Sequence, residues 1–361
     1  MLKKIKFIIS IICLFIIIFV LAFSKTISIA ITQGLLICLN ILIPSMFIFL
    51  IISEFFYRTN ALNKILKPFN FLCEKLFKID RKIGPILFFS LICGYPSGAN
   101  LIENLVRENK ISRKTANRML YFCVNAGPSF LIGGVSIPLS NDITFGIILF
   151  ISQVISFFII GTFSSIGEKL EKITSYQKKH FSPYEALVSS VKNSIKNMAM
   201  ICGFCLFFSA VINFVFTLNF FDINSHFYLK PLFAGFLEVT NGIINCMQIH
   251  NINTFLILTL ITSFGGMCVY FQIVAIISKS KIPLKNFFLW RIFYCAVNIT
   301  VATLLFTRFS VPISTFAQKL PKNKITLHSP IISISLIVLS IALLICEKKI
   351  IVKKFKRRYN K

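Results

Sequence analysis

Two short stretches set turn-forming and hydroxyl residues in the middle of apolar runs: Gly94-Tyr95-Pro96-Ser97-Gly98 and Ser263-Phe264-Gly265-Gly266. Each interrupts what would otherwise be a helix. The ends so created carry unpaired N–H or C=O groups and partial charges. Aimed at the middle of a membrane, such ends can bind a polar solute without a full side-chain charge. Gly94, Pro96 and Gly98 shape the first turn, and Tyr95 and Ser97 offer hydroxyls. A further break, Asn125-Ala126-Gly127-Pro128-Ser129, would face that turn with Asn125 and Ser129 on either side of Gly127. Ser263, Gly265 and Gly266 form the second tip, with Gln272 in the same run and Asn298 opposite. The alternative is that these are packing glycines and satisfied polar residues between helices. Two breaks in matching positions favour a site.

Three ionisable residues sit at membrane depth, where charges are costly and default to functional roles. Glu103, close to Asn100, could couple to a ligand or a proton, or pair with Arg107 one turn on. Glu238, with Thr240 and Asn241, would line the outer side of the cavity. Arg291 is expected to snorkel outward. Glu54, beside Tyr57 and Arg58, reads as interfacial.

No enzyme constellation accompanies these residues. There is no phosphate-binding loop, no Gly-x-Ser-x-Gly elbow and no His-Glu-x-x-His pair. Cys202-x-x-Cys205 has redox or metal spacing, but no His, Asp or Glu lies near it in sequence. A zinc site needs further ligands and a thioredoxin-like motif needs a βαβ setting. The other cysteines read as small buried hydrophobes. We therefore expect no catalysis, no cofactor and no metal.

These residues must be positioned by membrane-spanning helices. Of 361 residues, 56% are hydrophobic and only 14% charged, and the mean hydropathy is +0.81. Soluble proteins carry roughly 25% charge. A water-facing surface cannot be built from so few charged groups. The 39 Lys+Arg against 12 Asp+Glu give a net charge of +27. The basic residues lie between and beside apolar runs, as topology signals do. The aromatics are not interleaved with them as base-stacking platforms would be. Nucleic acid is not expected. The expected partners are the lipid bilayer and a small polar solute, with ion or proton coupling and homo-oligomer formation left open.

A span needs about 20 apolar residues. Residues 1–26 hold a first span (7–23) with no cleavage-type small residues after it. Residues 27–165 form a first repeat: a run kinked at Pro44, a basic amphipathic stretch at 58–83, a hairpin at 85–107, a broken span at 114–138 and a clean span at 143–165. A basic connector fills 166–196. Residues 197–346 repeat the order, with an amphipathic stretch at 229–249, a hairpin at 254–278, and spans at 284–307 and 330–346. A basic tail occupies 347–361. Gly94 stands 16 residues before Lys110, and Gly265 16 before Lys281. Tyr121-x-x-Val124-Asn125 answers Tyr294-x-x-Val297-Asn298.

The expected fold is an all-α polytopic membrane protein of about seven transmembrane helices, with two re-entrant helical hairpins in an inverted repeat. With the N-terminus inside, most Lys and Arg fall inside, and the two hairpins enter from opposite faces. The tail from Lys348 to Lys361 dissents, falling outside. If 229–249 were a span, the tail would return inside but both hairpins would share a face.

Gly94-Tyr95-Pro96-Ser97-Gly98-Ala99, Lys110-Ile111-Ser112 and Asn125-Ala126-Gly127-Pro128-Ser129-Phe130 resemble the sporulation integral membrane protein YlbJ family. Leu237-Glu238-Val239-Thr240-Asn241-Gly242-Ile243, Ser263-Phe264-Gly265-Gly266 and Ile43-Pro44-Ser45-Met46-Phe47 are similar to the same family, in the same order. The resemblance covers most of residues 27–310. It implies a nucleoside-recognition or Gate domain, a concentrative-nucleoside-transporter-like fold, and a role in spore cortex formation in a cell membrane or a membrane of the developing spore. Two functions follow: a transporter or permease of a small polar solute, or a non-transporting scaffold that keeps a carrier's fold. The 41 Phe residues keep the second in view, since a scaffold can fill the central space with apolar side chains.

Overall fold

The computed structural model describes residues 21–59, 66–140, 142–173, 181–217, 228–247, 249 and 252–308. The expected span at 7–23 up to residue 20, the span at 330–346 and the basic tail lie outside them. Among the described residues every element is helical apart from an isolated bridge between Ile79 and Glu171.

Helix α1 runs over Ser24–Thr59. Pro44 does not break it. A proline ring clashes with the carbonyl four residues back, so the helix must widen or bend there. It widens: Cys38–Leu42 forms a π turn immediately before the proline. Short α2 (Lys67–Phe77) follows, ending on Lys78 in the left-handed region. Helices α3 (Gly84–Cys93) and α4 (Tyr95–Arg107) each carry proline in the first turn, where the missing N–H is not needed. Between them Gly94 takes φ +83° and ψ 178°, a conformation essentially reserved for glycine.

Helix α5 (Arg113–Cys123) starts on Ser112, whose side chain accepts from Thr115 N. It gives way to extended backbone at Val124, and the chain re-forms as α6 (Phe130–Leu139). Helix α7 (Ile143–Phe163) is capped by Asp142. The expected connector 166–196 is shorter than its charge suggested, because α8 covers Pro183–Thr217. Ser182 and Glu185 form a reciprocal cap there, with Ser182 N donating to Glu185 Oε2 (3.0 Å) and Glu185 N to Ser182 Oγ (3.3 Å). Ser-x-x-Glu is the sequence signal for such a start.

Helices α9 (Leu229–Leu237) and α10 (Val239–Cys246) fold back on each other. A Cβ on Gly242 would lie 2.3 Å from Gly235 Cα, so the two backbones touch. Helices α11 (Ile252–Phe264) and α12 (Gly266–Ile277) do not pack along one another. Gly265 and Gly266, at φ +85° and +72°, bend the run without reversing it. This corrects the sequence expectation: the second fold-back is at 229–246, and 254–278 passes through the bundle. Glycine marks both places, but only the paired Gly235 and Gly242 allow backbones to meet side by side. Helix α13 (Phe287–Arg308) closes the described chain.

The bundle has two ends. At one, Lys114 pairs with Glu168 (2.8 Å), Glu103 accepts from Ser280 Oγ (2.9 Å), and Tyr121 Oη donates to Lys285 O (2.8 Å). The same end holds Arg118 Nη1 on Phe77 O (2.7 Å) and Ile173 N on Asp80 Oδ2 (2.9 Å). The hydrogen bond from Lys114 holds the half-buried Glu168 carboxyl below its usual range. At the other end Asn253 meets Tyr228 (3.0 Å), Phe23 meets Phe214, and Phe255 packs edge-on against Phe145 and tilted against Phe306. Both outer ends of α3–α4 lie at the basic end, and both outer ends of α9–α10 at the opposite end. Among the described residues, five segments are long and apolar enough to cross a membrane: Ser24–Thr59, Ile143–Phe163, Pro183–Thr217, Asn253–Ser280 and Phe287–Arg308. Leu39, Ile48 and Phe49 on α1, Phe207 on α8, and Leu289, Ile292 and Leu304 on α13 are exposed, as a lipid-facing belt requires.

Candidate functional site

The four interruptions of the bundle are brought against one another. A Cβ on Gly127 would lie 2.6 Å from Ile92 O and 3.1 Å from Gly94 N, so the α5–α6 break touches the α3–α4 turn. Tyr95 Oη donates to Thr262 O, and its ring packs on Gly265. The first turn therefore caps the last turn of α11. A Cβ on Gly266 would lie 3.1 Å from Gly235 O and 3.2 Å from Leu237 O, joining the α11–α12 bend to α9.

At their meeting point is a small, partly open cavity of about 30 Å³, lined by Tyr95, Pro96, Gly127, Phe130, Glu238, Val239, Thr240, Cys268, Val269 and Gln272, with Leu42, Met46 and Ile201 from α1 and α8. That volume exceeds the ~10–15 Å³ a single water needs. Its one charged wall is Glu238, 4% exposed. The carboxylate caps α10, accepting from Thr240 N at Oε1 (3.0 Å) and from Asn241 N (2.7 Å) and Asn241 Nδ2 (2.8 Å) at Oε2. A helix amino end favours a negative charge in this position. Asn241 also donates to Ser209 Oγ on α8 (2.8 Å). Gln272 Nε2 reaches Cys268 Sγ (3.1 Å).

Behind the cavity Arg291 ties two breaks together. It does not snorkel: it is 1% exposed. Nη1 donates to Val124 O (2.6 Å) and Nε to Phe264 O (3.0 Å), the carboxyl ends of α5 and α11. No carboxylate pairs with it among the described residues. Two helix carboxyl ends, each equivalent to roughly half a negative charge, supply the compensation. Its guanidinium also lies over the Tyr294 ring (4.8 Å). Beside it Gln153 Oε1 accepts from Ala126 N (3.1 Å), and Tyr294 Oη donates to Gln153 O (3.0 Å).

Of the residues singled out from sequence, Tyr95, Pro96, Gly127, Glu238 and Gln272 line the cavity, and Gly94, Gly265 and Gly266 make the turns around it. Asn298 and Ser263 stand one layer behind, with Asn298 Nδ2 on Ser263 Oγ (2.5 Å) and Ser156 Oγ on Asn298 Oδ1 (3.1 Å). Asn241 orients Glu238. Asn125 turns back onto Phe122 O, and its Oδ1 is buried without a partner. Ser129 is half-buried beside the break. Gly98 allows contact with Cys123 O.

Three residues face elsewhere. Ser97 lies on a small polar pocket with Glu54 and Asn197, Asn100 Nδ2 meets Asn197 Oδ1 (3.0 Å), and Glu103 meets Ser280. Arg107 pairs with Asn104 rather than with Glu103. Glu54 pairs with Arg58 (2.7 Å) and accepts from Asn193 Nδ2 (3.0 Å). Sequence reasoning missed the carbonyl-binding role of Arg291, and also Gln153 and Tyr294. An arginine a few residues inside an apolar span was the available signal.

No family model matches the chain, and no solved structure matches it. Among curated proteins it is 25% identical over 310 residues to the "Sporulation integral membrane protein YlbJ" of Bacillus subtilis (strain 168), covering 74% of this chain and 75% of that protein. The resemblance read from the residues is thus borne out. With its long apolar helices, the chain is a multi-pass membrane protein.

Proposed function

We propose that this chain, like the sporulation membrane protein it resembles, serves spore development, and that it does so as a carrier of a small polar solute whose action supports cortex formation. The observation that supports this most is the convergence of four helix breaks on one small cavity carrying a buried carboxylate. Paired interruptions in a membrane bundle are the common device for a midplane site. In this reading the chain has no enzymatic role. The cavity is the occluded form of the site, and solute enters when one fold-back pair moves away from the other.

The same reading orients the chain. Pairs α3–α4 and α9–α10 are two re-entrant hairpins from opposite faces, so α3–α7 and α9–α13 form an inverted repeat. Broken α5–α6 and bent α11–α12 are then matching crossings. With the sequence-predicted runs at 7–23 and 330–346 counted as crossings, the basic tail falls on the basic side, and its dissent from the positive-inside pattern disappears. Cysteines placed at Arg107 and at Tyr228 should label from opposite faces with a membrane-impermeant maleimide, over a background of described native cysteines that are buried or half-buried. Labelling of both from one face would sink the inverted arrangement.

A second reading, the scaffold, is favoured by the walls: Leu42, Met46, Phe130, Ile201, Val239 and Val269 leave little room. Uptake by proteoliposomes across a solute panel separates the two. A carrier with Glu238→Gln should lose about tenfold or more in uptake, the effect of one charged hydrogen bond worth roughly 1.5–3 kcal/mol. It should also fail to restore sporulation in a strain lacking the protein. Absence of uptake of every solute, with sporulation unaffected by Glu238→Gln, would leave only the scaffold.

A further inference from the structure

Resting on the carrier reading, the cavity chemistry names a class of cargo: we propose that the site takes a monopositive, N–H-bearing head group, an ammonium or primary-amine cation. Glu238 is the one charged side chain on the wall, and among the described residues no lysine, arginine or histidine forms an ion pair with it. Arg291, the other buried ion at this depth, is turned away onto Val124 O and Phe264 O. The carboxylate therefore lines the cavity with N–H donors and a helix amino end beside it but no cationic side chain, a place that a cationic guest can take.

Its remaining capacity is for donors. A carboxylate offers about four acceptor sites; three N–H groups occupy Glu238, two of them on Oε2. The Thr240 hydroxyl also bonds it, so a guest with N–H donors would take over the place of that hydroxyl. Gln272 spends its amide nitrogen on Cys268, leaving the amide oxygen as an acceptor. The Thr240 hydroxyl, which bonds Glu238, keeps its oxygen as an acceptor on the same wall. Three oxygen-bearing side chains match the three N–H donors of an alkylammonium. A bare metal ion would want roughly six oxygens, and the rest of the wall is apolar. The Tyr95 and Phe130 rings on the wall suit a cation, which is attracted to ring faces. The volume accepts an ammonium head and little more.

The test uses purified full-length protein in nanodiscs, unfolded thermally in matched concentrations of methylammonium, tetramethylammonium, sodium or potassium chloride. A ligand that binds only the folded state raises the midpoint. Methylammonium should raise it by several degrees and the other three should not, since tetramethylammonium lacks N–H donors and exceeds the cavity. Because Glu238 also caps α10, Gln272→Leu is the variant that isolates the cavity; it and Glu238→Gln should both abolish the shift. An equal rise in all four salts, a rise with sodium or potassium alone, or a methylammonium shift that survives in Gln272→Leu would overturn the inference. Methylammonium binding without uptake of any amine would sink the carrier reading and leave this inference standing. Uptake of a neutral or anionic solute, with no methylammonium shift, would do the reverse.

Discussion

Replacing Arg291 by leucine is expected to be the most damaging single change in the bundle. It removes the donor from two buried carbonyls, Val124 O and Phe264 O, each left unsatisfied at a cost of about 1–3 kcal/mol. It also removes the positive charge that lets the carboxyl ends of α5 and α11 approach each other. The combined loss is a large part of the roughly 5–15 kcal/mol that stabilises a typical domain. Detergent-solubilised Arg291→Leu should elute mainly as aggregate in fluorescence-detected size exclusion. Arg291→Lys should be intermediate, because an ammonium on a flexible stem cannot serve two carbonyls with the fixed fork of a guanidinium. Equal monodispersity and equal melting of both variants and the parent would refute the role given to Arg291.

Gly242→Ala should come next, paired with Gly203→Ala as its opposite. The added methyl at 242 meets the Gly235 backbone at 2.3 Å, and backbone cannot swing aside. Overpacking of this kind costs about 1–3 kcal/mol, occasionally more. The α9–α10 pair should splay and carry Glu238 off the cavity wall, so melting falls and any ligand shift is lost. At Gly203, within α8, a Cβ meets nothing within 4 Å. There alanine should raise stability by up to about 1 kcal/mol through helix propensity alone. Parallel melting curves of the two variants decide it: equal changes at both positions would mean that the close approach is not a real constraint.

What was legible beforehand was local. Gly94-Tyr95-Pro96, Asn125 to Ser129 and Gly265-Gly266 announced interruptions because their residue types forbid a continuous helix. The structure breaks the helices at those places. Pairing was not legible. Whether a glycine bends a chain or reverses it depends on whether a second glycine waits opposite, as Gly235 does for Gly242. Glu238 was legible as a buried charge, but its capping of α10 required knowing that a helix begins at Val239. Arg291 misled for a related reason. Its partners are backbone carbonyls far away in sequence, and no residue type advertises a carbonyl left free by a break. Ser97, Asn100 and Glu103 shared a run with the first turn, yet helical rotation carries them to other faces, towards α8 and α12.

The π turn in α1 has a consequence for how that helix serves two environments at once. Cys38, Leu42, Met46 and Leu50 are all buried, a spacing of four residues. In an ordinary α-helix of 3.6 residues per turn that spacing drifts by about 40° at each step. Left alone, the drift would swing Leu50 well off the seam that Cys38 occupies. The wider turn at Cys38–Leu42 takes up part of that rotation, so the seam stays in phase along the membrane's depth. One supernumerary residue thus keeps Leu42 and Met46 against the central chamber while Leu39, Ile48 and Phe49 go on meeting acyl chains.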